Sequence, residues 1–119
     1  MADQFDNRPT LFVVRHLPGP NFRPEVAPTE QDGVAEHFAY IQQLEETGAI
    51  LLSGPLLAQG AGGLMVLSPH IDAAEASRIA ENDPATKSGL VVADVLPWMI
   101  TAGDFSYLTP TGVKPAGAE

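Results

Sequence analysis

Three histidines occur in the 119-residue sequence, at positions 16, 37 and 70. Histidine is the side chain whose unperturbed charge change falls between pH 5 and 8. His37 is the strongest candidate for chemistry. It lies on an apolar helical stripe with Val34, Phe38, Ile41 and Leu44, so its ring faces a sheet and away from bulk water, where it could move a proton to or from a small substrate. A core histidine with both nitrogens satisfied by backbone fits the same position. Asp83, in Asn82-Asp83-Pro84, follows an alanine-rich segment that reads as a helix. A carboxylate at a helix C-terminus opposes the macrodipole by about 0.3–1 kcal/mol, so something must offset it. Capping a further helical turn begun by Pro84 would do so, and a cap leaves one carboxylate oxygen free for other work.

Ser53-Gly54-Pro55 supplies candidate substrate-binding positions. Gly54 permits close approach by a ligand or a helix. Ser53 lacks the strand–turn–helix setting of a nucleophile elbow, which leaves it a hydrogen-bonding role in a cleft or a plain edge position. Arg15 could bind a carboxylate or phenolate, or pair with Asp94; it and His16 point to opposite faces of their strand. Trp98 could line an aromatic pocket or fill a core or interface. The histidines show no paired metal-ligand spacing, and cysteine is absent. Gly60-Ala61-Gly62-Gly63 lies between strands and opens no helix, so it is a poor phosphate cradle. Neither a metal nor a cofactor is expected.

These residues are positioned by six predicted elements. Leu11–His16 is a β-rich run that ends at Leu17-Pro18-Gly19-Pro20, and a long proline-punctuated loop then reaches Glu30; loops of that length are often lids or binding loops. A helix over Gln31–Thr47 stops at Gly48. Ile50–Leu56 and Leu64–Leu67 read as strands joined by a hairpin turn over Gln59–Gly63. Asp72 and Glu75 form a capping-box pattern at the start of a second helix, which ends at Asn82-Asp83-Pro84. A fourth strand spans about Leu90 to Ile100. The order β-α-β-β-α-β predicts an α+β, ferredoxin-like fold: a four-stranded antiparallel sheet with both helices on one face. Strands two and four would be the edges, and each contains a proline, Pro55 and Pro97, as edges tolerate. The other face has no helix to cover it although its strands are apolar, which implies a partner, most simply a second copy of the chain.

Residues 1–119 read as one domain, with an ordered core from about residue 10 to 108 and a mobile tail over 109–119. Acidic side chains outnumber Lys plus Arg by 15 to 6 and the formal net charge is −9. No basic stripe is present, which argues against nucleic acid. No apolar run approaches the roughly 18 residues of a membrane span, and Met1–Thr10 lacks a signal-peptide pattern; a cytoplasmic location is expected.

From His37 to Leu56 the sequence reads H-x-x-Y-x-x-x-L-E-x-x-G-x-x-L-x-S-G-P-L, followed by Ala76, Asp83-Pro84 and Gly89. This ordered set resembles the YciI-like (YCII-related) family from about Leu11 to Trp98. The resemblance implies a ferredoxin-like chain that pairs into a dimeric α+β barrel, with an active-site cleft around the helix-one histidine and carboxylates. It also implies relatives that include a dehydrochlorinase of a chlorinated hydroxyhydroquinone, and a fold shared with muconolactone isomerases and cofactor-independent monooxygenases. Many members carry an aspartate just after strand one. Here that segment is Arg15-His16-Leu17-Pro18-Gly19, without a carboxylate, so Asp83, Asp32 or no carboxylate at all orients His37.

Two functions fit. One is a cofactor-independent enzyme using His37 as general acid or base, with Asp83, on a small cyclic or phenolic substrate by elimination, isomerisation or dehydration. The other is a non-catalytic protein that binds a small ligand in the same cleft.

Overall fold

The apolar run Leu11–Val14 lies at the centre of the sheet in the computed structural model, which describes residues 8–104. Strand β1 (Thr10–Pro18) pairs antiparallel with β3 (Gly63–Leu67) on one side and β4 (Val91–Met99) on the other. Strand β2 (Ile50–Pro55) completes the order β2-β3-β1-β4. This is the ferredoxin-like arrangement, with Pro55 and Pro97 on the two edge strands where a missing donor is tolerated. The end of the expected core, 105–108, and the expected mobile tail, 109–119, lie outside the described residues.

Helices α1 (Val34–Glu46) and α2 (Ala73–Asn82) pack on one sheet face, and a five-residue helix α3 (Pro84–Ser88) follows α2 directly. Val14, Met65 and Leu67 from the sheet meet Ala76, Ile79 and Ala80 from α2 in the core. Burying each of the larger side chains contributes about 1.5–3 kcal/mol. The alanines of α2 let that helix lie close to the sheet.

Helix α1 sits higher: none of its residues is fully buried, and Tyr40, Ile41 and Leu44 pack on the core from above. The inward-facing, half-buried stripe therefore runs His37, Tyr40, Ile41, Leu44, at spacings of three and four. Phe38, expected on that stripe, is 54% exposed, and Tyr40 takes the inward place because its hydroxyl donates to the Ile79 carbonyl at 2.8 Å. Helix α1 ends in a Schellman motif: Gly48 (φ +81°) donates to Glu45 and Ala49 donates to Leu44, satisfying carbonyls the helix leaves open. At α2, Asp72 caps by accepting from the Glu75 amide at 2.8 Å. The reciprocal half of the predicted capping box is not made, because the Glu75 carboxylate instead takes Arg78 at 2.6 Å.

Helix α1 starts at Val34, three residues later than expected, because Gln31 is used elsewhere. Its buried amide donates to the carbonyls of Arg23 and Val26 and accepts from the Arg23 amide. The proline-rich loop is further fastened by Gly19 and Asn21 amides on the Leu90 and Gly89 carbonyls, and by the Asn21 side chain on Ser88. That density of backbone bonds makes the segment a strap over α3 and the start of β4, where a lid was one expectation.

Strand register assigns every sheet residue to a face. Phe12, Val14, His16, Met65, Ser53, Pro55, Ala93 and Val95 face the helices; Leu11, Val13, Arg15, Leu52, Gly54, Leu64, Val66, Asp94, Leu96 and Trp98 face the open side. A bulge at Leu51 resets the alternation of β2. On the open side Leu52, Leu96 and Trp98 are exposed by 72, 42 and 50%. An apolar depression of about 320 Å³ lies there, lined in part by Leu11, Leu51, Leu52, Val66, Trp98 and Ile100.

Candidate functional site

The α2–α3 junction determines where the buried carboxylate sits. Pro84 cannot extend α2, so the chain turns extended at Asp83 (φ −64°, ψ 125°) and restarts as α3 with Pro84 in its first turn. Asp83 Oδ1 accepts from the Ala85 amide at 2.9 Å, which is the capping role expected of it. The side chain is 1% exposed. Its remaining capacity is directed at helix α1: His37 Nδ1 lies 2.8 Å from Oδ2 and 3.0 Å from Oδ1. Capping and pairing therefore coexist on one carboxylate, as its spare oxygen allows. Asp32, the alternative partner for His37, is exposed.

An ionised carboxylate only accepts hydrogen bonds. Asp83 thus places the hydrogen of His37 on Nδ1, and in the neutral ring Nε2 carries the lone pair. Nε2 makes no hydrogen bond among the described residues, and 17% of the His37 side chain reaches solvent. The Phe38 ring stands beside it, with centroids 5.8 Å apart. Burial pushes the Tyr40 hydroxyl up, with the charges of Asp83 and Glu75 adding to that effect.

His16 is the residue the sequence reading did not bring to this place. It reaches Asp83 from below: Nε2 lies 3.6 Å from Oδ2, and the His16 and His37 rings meet edge-on with centroids 5.3 Å apart. Burial lowers the His16 pKa, the neighbouring His37 lowers it further, and Asp83 opposes both. The signal was available in strand alternation, since His16 is two residues past the core residue Val14 and must share its face.

The other sequence candidates divide between the two faces. Ser53 and Pro55 lie on the helix face at the β2 edge, and both are exposed. Pro55 shares a cross-strand row with His16, with Gly63 between them. Gly54, Arg15 and Trp98 lie on the open face. A Cβ on Gly54 would meet nothing within 4 Å, so its missing side chain faces open space, with no helix approaching. Arg15 pairs with Asp94 across β1 and β4 at 2.8 Å, both side chains being more than 40% exposed, which is the ion pair expected as its alternative role. Trp98 borders the apolar depression. Among the described residues no cluster of His, Cys, Asp and Glu has the geometry of a metal site, and no helix is long and apolar enough to cross a membrane.

A family model for the YCII-related domain matches residues 14–99. The chain belongs to the YCII-related family. The matched span holds His16, His37 and Asp83, strands β2, β3 and β4 of this YCII-related chain, and β1 from Val14 onward. A solved structure of 5-chloro-2-hydroxyhydroquinone dehydrochlorinase from Burkholderia phenoliruptrix AC1100, in complex with 2,5-dihydroxybenzoquinone, aligns with 78% of this chain and 95% of its own, at a TM-score of 0.55 and 24% sequence identity. That likeness shows a shared fold. No curated protein sequence matches the chain significantly.

Proposed function

We propose that this YCII-related chain is a cofactor-independent, lyase- or isomerase-like enzyme in which His37 is the general acid–base and Asp83 orients it, acting on a small cyclic or phenolic substrate. The observation that carries this reading is the His37–Asp83 pair. A buried carboxylate fixes the tautomer of a ring whose other nitrogen is unbonded and whose edge reaches solvent. Such a ring can take a proton at Nε2 while Asp83 stabilises the imidazolium formed, the logic by which a carboxylate assists a catalytic histidine elsewhere. In an elimination, Nε2 removes the substrate proton, the released electron pair forms the new double bond, and the leaving group departs with its bonding pair. The ring then returns the proton to solvent. Phe38 supplies an apolar wall against which a flat ring can stack. Ser53 and Pro55, at the β2 edge on the same face, are the proposed polar and apolar rim. Arg15, Gly54 and Trp98, on the open face, are candidates for a site only where a second copy closes over that face.

We further infer that the chain forms a homodimer through the open sheet face, the pairing expected of a dimeric α+β barrel. Leu52, Leu96 and Trp98 support this, because exposed apolar residues gathered on one sheet face mark an interaction surface.

The test is turnover of hydroxylated and halogenated hydroquinones, followed by halide release and by absorbance of the quinone product. The wild-type chain is expected to turn over at least one such compound, and His37→Asn to lose roughly 10²–10⁴-fold. Saturable binding without turnover of any member of the series would reassign the cleft to ligand binding.

A further inference from the structure

Two buried side-chain polar atoms among the described residues lack a hydrogen-bond partner, and one of them, His16 Nε2, points at the candidate site. A buried polar group left unpaired costs about 1–3 kcal/mol, so the placement of this atom calls for an account. Asp83 Oδ2 lies 3.6 Å away from it. Of the two carboxylate oxygens, Oδ1 already takes the Ala85 amide and a share of His37 Nδ1, whereas Oδ2 takes only His37. The open capacity of the carboxylate is thus on the side His16 approaches.

Cross-strand packing does not explain the ring. Its row neighbours are Gly63 on β3 and Ala93 on β4, which present no side chain or a single methyl. The groups that meet it are His37, edge-on from α1, and Asp83 from the α2–α3 junction. The backbone beneath it is held in place. Gly62 adopts φ +74°, and a Cβ there would overlap the His16 carbonyl oxygen, so β1 and the β3 hairpin touch backbone to backbone at this residue. A pinned backbone, adjacent row neighbours that present little or no side chain, and a ring nitrogen directed at a carboxylate are the features of a residue placed for that carboxylate.

We propose that His16 is a positioning residue of the His37–Asp83 pair, donating its Nε2–H to Asp83 Oδ2 and holding the carboxylate in the orientation that serves His37 Nδ1. A small rotation of the Asp83 or His16 side chain brings the two atoms within hydrogen-bonding range. His16 then acts as a neutral donor throughout and exchanges no proton with substrate. The same carboxylate is gripped from three directions: the Ala85 amide, His37 and His16. This assignment deepens the acid–base reading of His37 and rests on it for its catalytic meaning, but the contact itself can be read without turnover.

The experiment is two-dimensional nitrogen–proton NMR of the histidine-labelled full chain, which reports the tautomer of each ring. At neutral pH the expected result is His16 protonated at Nε2 and His37 protonated at Nδ1. His16→Leu, which fills the space without a donor, is expected to speed exchange of the His37 Nδ1 proton by about two- to tenfold, the factor that a hydrogen bond of ordinary net strength represents. His16→Gln, whose side-chain amide nitrogen falls near the position of Nε2, is expected to restore the wild-type rate. A His16 ring protonated at Nδ1 overturns the proposal, and needs no variant to fold. Equal exchange in wild type and His16→Leu overturns it too, as does equal damage in His16→Leu and His16→Gln, which marks a residue that only fills space. Absence of turnover with these spectra intact would remove the acid–base reading while leaving the His16–Asp83 contact established.

Discussion

Replacing Asp83 with alanine removes two interactions at once, and they can be separated. The carboxylate caps α3 through the Ala85 amide at 2.9 Å and pairs with His37 Nδ1 at 2.8 Å, from a position 1% exposed. Loss of a cap costs about 0.5–2 kcal/mol, and a hydrogen bond to a charged group is worth about 1.5–3 kcal/mol. Asp83→Ala should therefore destabilise the fold by roughly 2–5 kcal/mol, lowering a urea midpoint by roughly 1–3 M at slopes usual for small domains. Asp83→Asn is the informative companion. Its amide oxygen can still cap Ala85 while its nitrogen donates to His37 Nδ1, which drives the histidine hydrogen to Nε2. That variant should lose far less stability than alanine and still forfeit the lone pair needed for base catalysis, as a wrong tautomer does in other enzymes. A double-mutant cycle of Asp83→Ala and His37→Ala isolates the pair, with an expected coupling of about 1–3 kcal/mol. If denaturation curves give a coupling near zero, or show Asp83→Ala to be as mild as an exposed surface change, the buried pair has no energetic reality and the argument for a fixed tautomer fails.

Two other outcomes can be read without a substrate. Because burial depresses the His16 pKa below 6.5, the unfolded chain binds this proton at higher pH than the folded chain does. The His16 contribution is therefore intact above pH 6.5 and is lost as pH falls through the depressed folded value, with a slope of at most about 1.4 kcal/mol per pH unit; denaturant midpoints between about pH 7.5 and 5.5 should fall more steeply for wild type than for His16→Leu. On the open face, the pair of changes Leu52→Glu and Trp98→Glu should convert a sedimenting dimer to monomer, whereas Phe38→Glu on the helix side should not, and a wild-type chain that is monomeric at micromolar concentration would refute the pairing.

Much of the fold is legible because each element carries its own local signal. Asp72, Gly48 and Pro84 mark helix ends by capping chemistry, and Pro55 and Pro97 mark edges by the donor they lack. What local signals do not carry is the choice between neighbours on a helix. Phe38 and Tyr40 compete for the inward position, and only the Ile79 carbonyl across the helix pair decides for Tyr40. Nor does local sequence say that Gln31 will satisfy loop carbonyls in place of starting α1. The candidate site was half visible. His37 and Asp83 are each legible with two roles, and Asp83 is one of three options for orienting His37, but a separation of 46 positions hides that the two meet at hydrogen-bonding distance. Ser53, Gly54 and Pro55 are contiguous in sequence, yet a strand sends alternate residues to opposite sides, so they cannot share one cleft. His16 was missed because its strand was read as one face or the other; anchoring the alternation on Val14 would have settled it.

The edges of the sheet have a consequence for how copies of this chain can associate. A bare edge strand is a template, and two such templates in one molecule permit growth without limit. Here β2 carries both Pro55 and the bulge at Leu51, and β4 carries Pro97. An incoming strand would find a donor missing at either edge and the spacing out of step at one. Open-ended polymerisation by strand addition is thereby disfavoured at both ends, and the apolar surface left over is a face, which two copies can bury by symmetry in a single step that then terminates. The prolines that first served to locate the edges also bias the chain toward a finite assembly, and replacing both with valine would be expected to turn a self-limiting particle into a fibre-prone one.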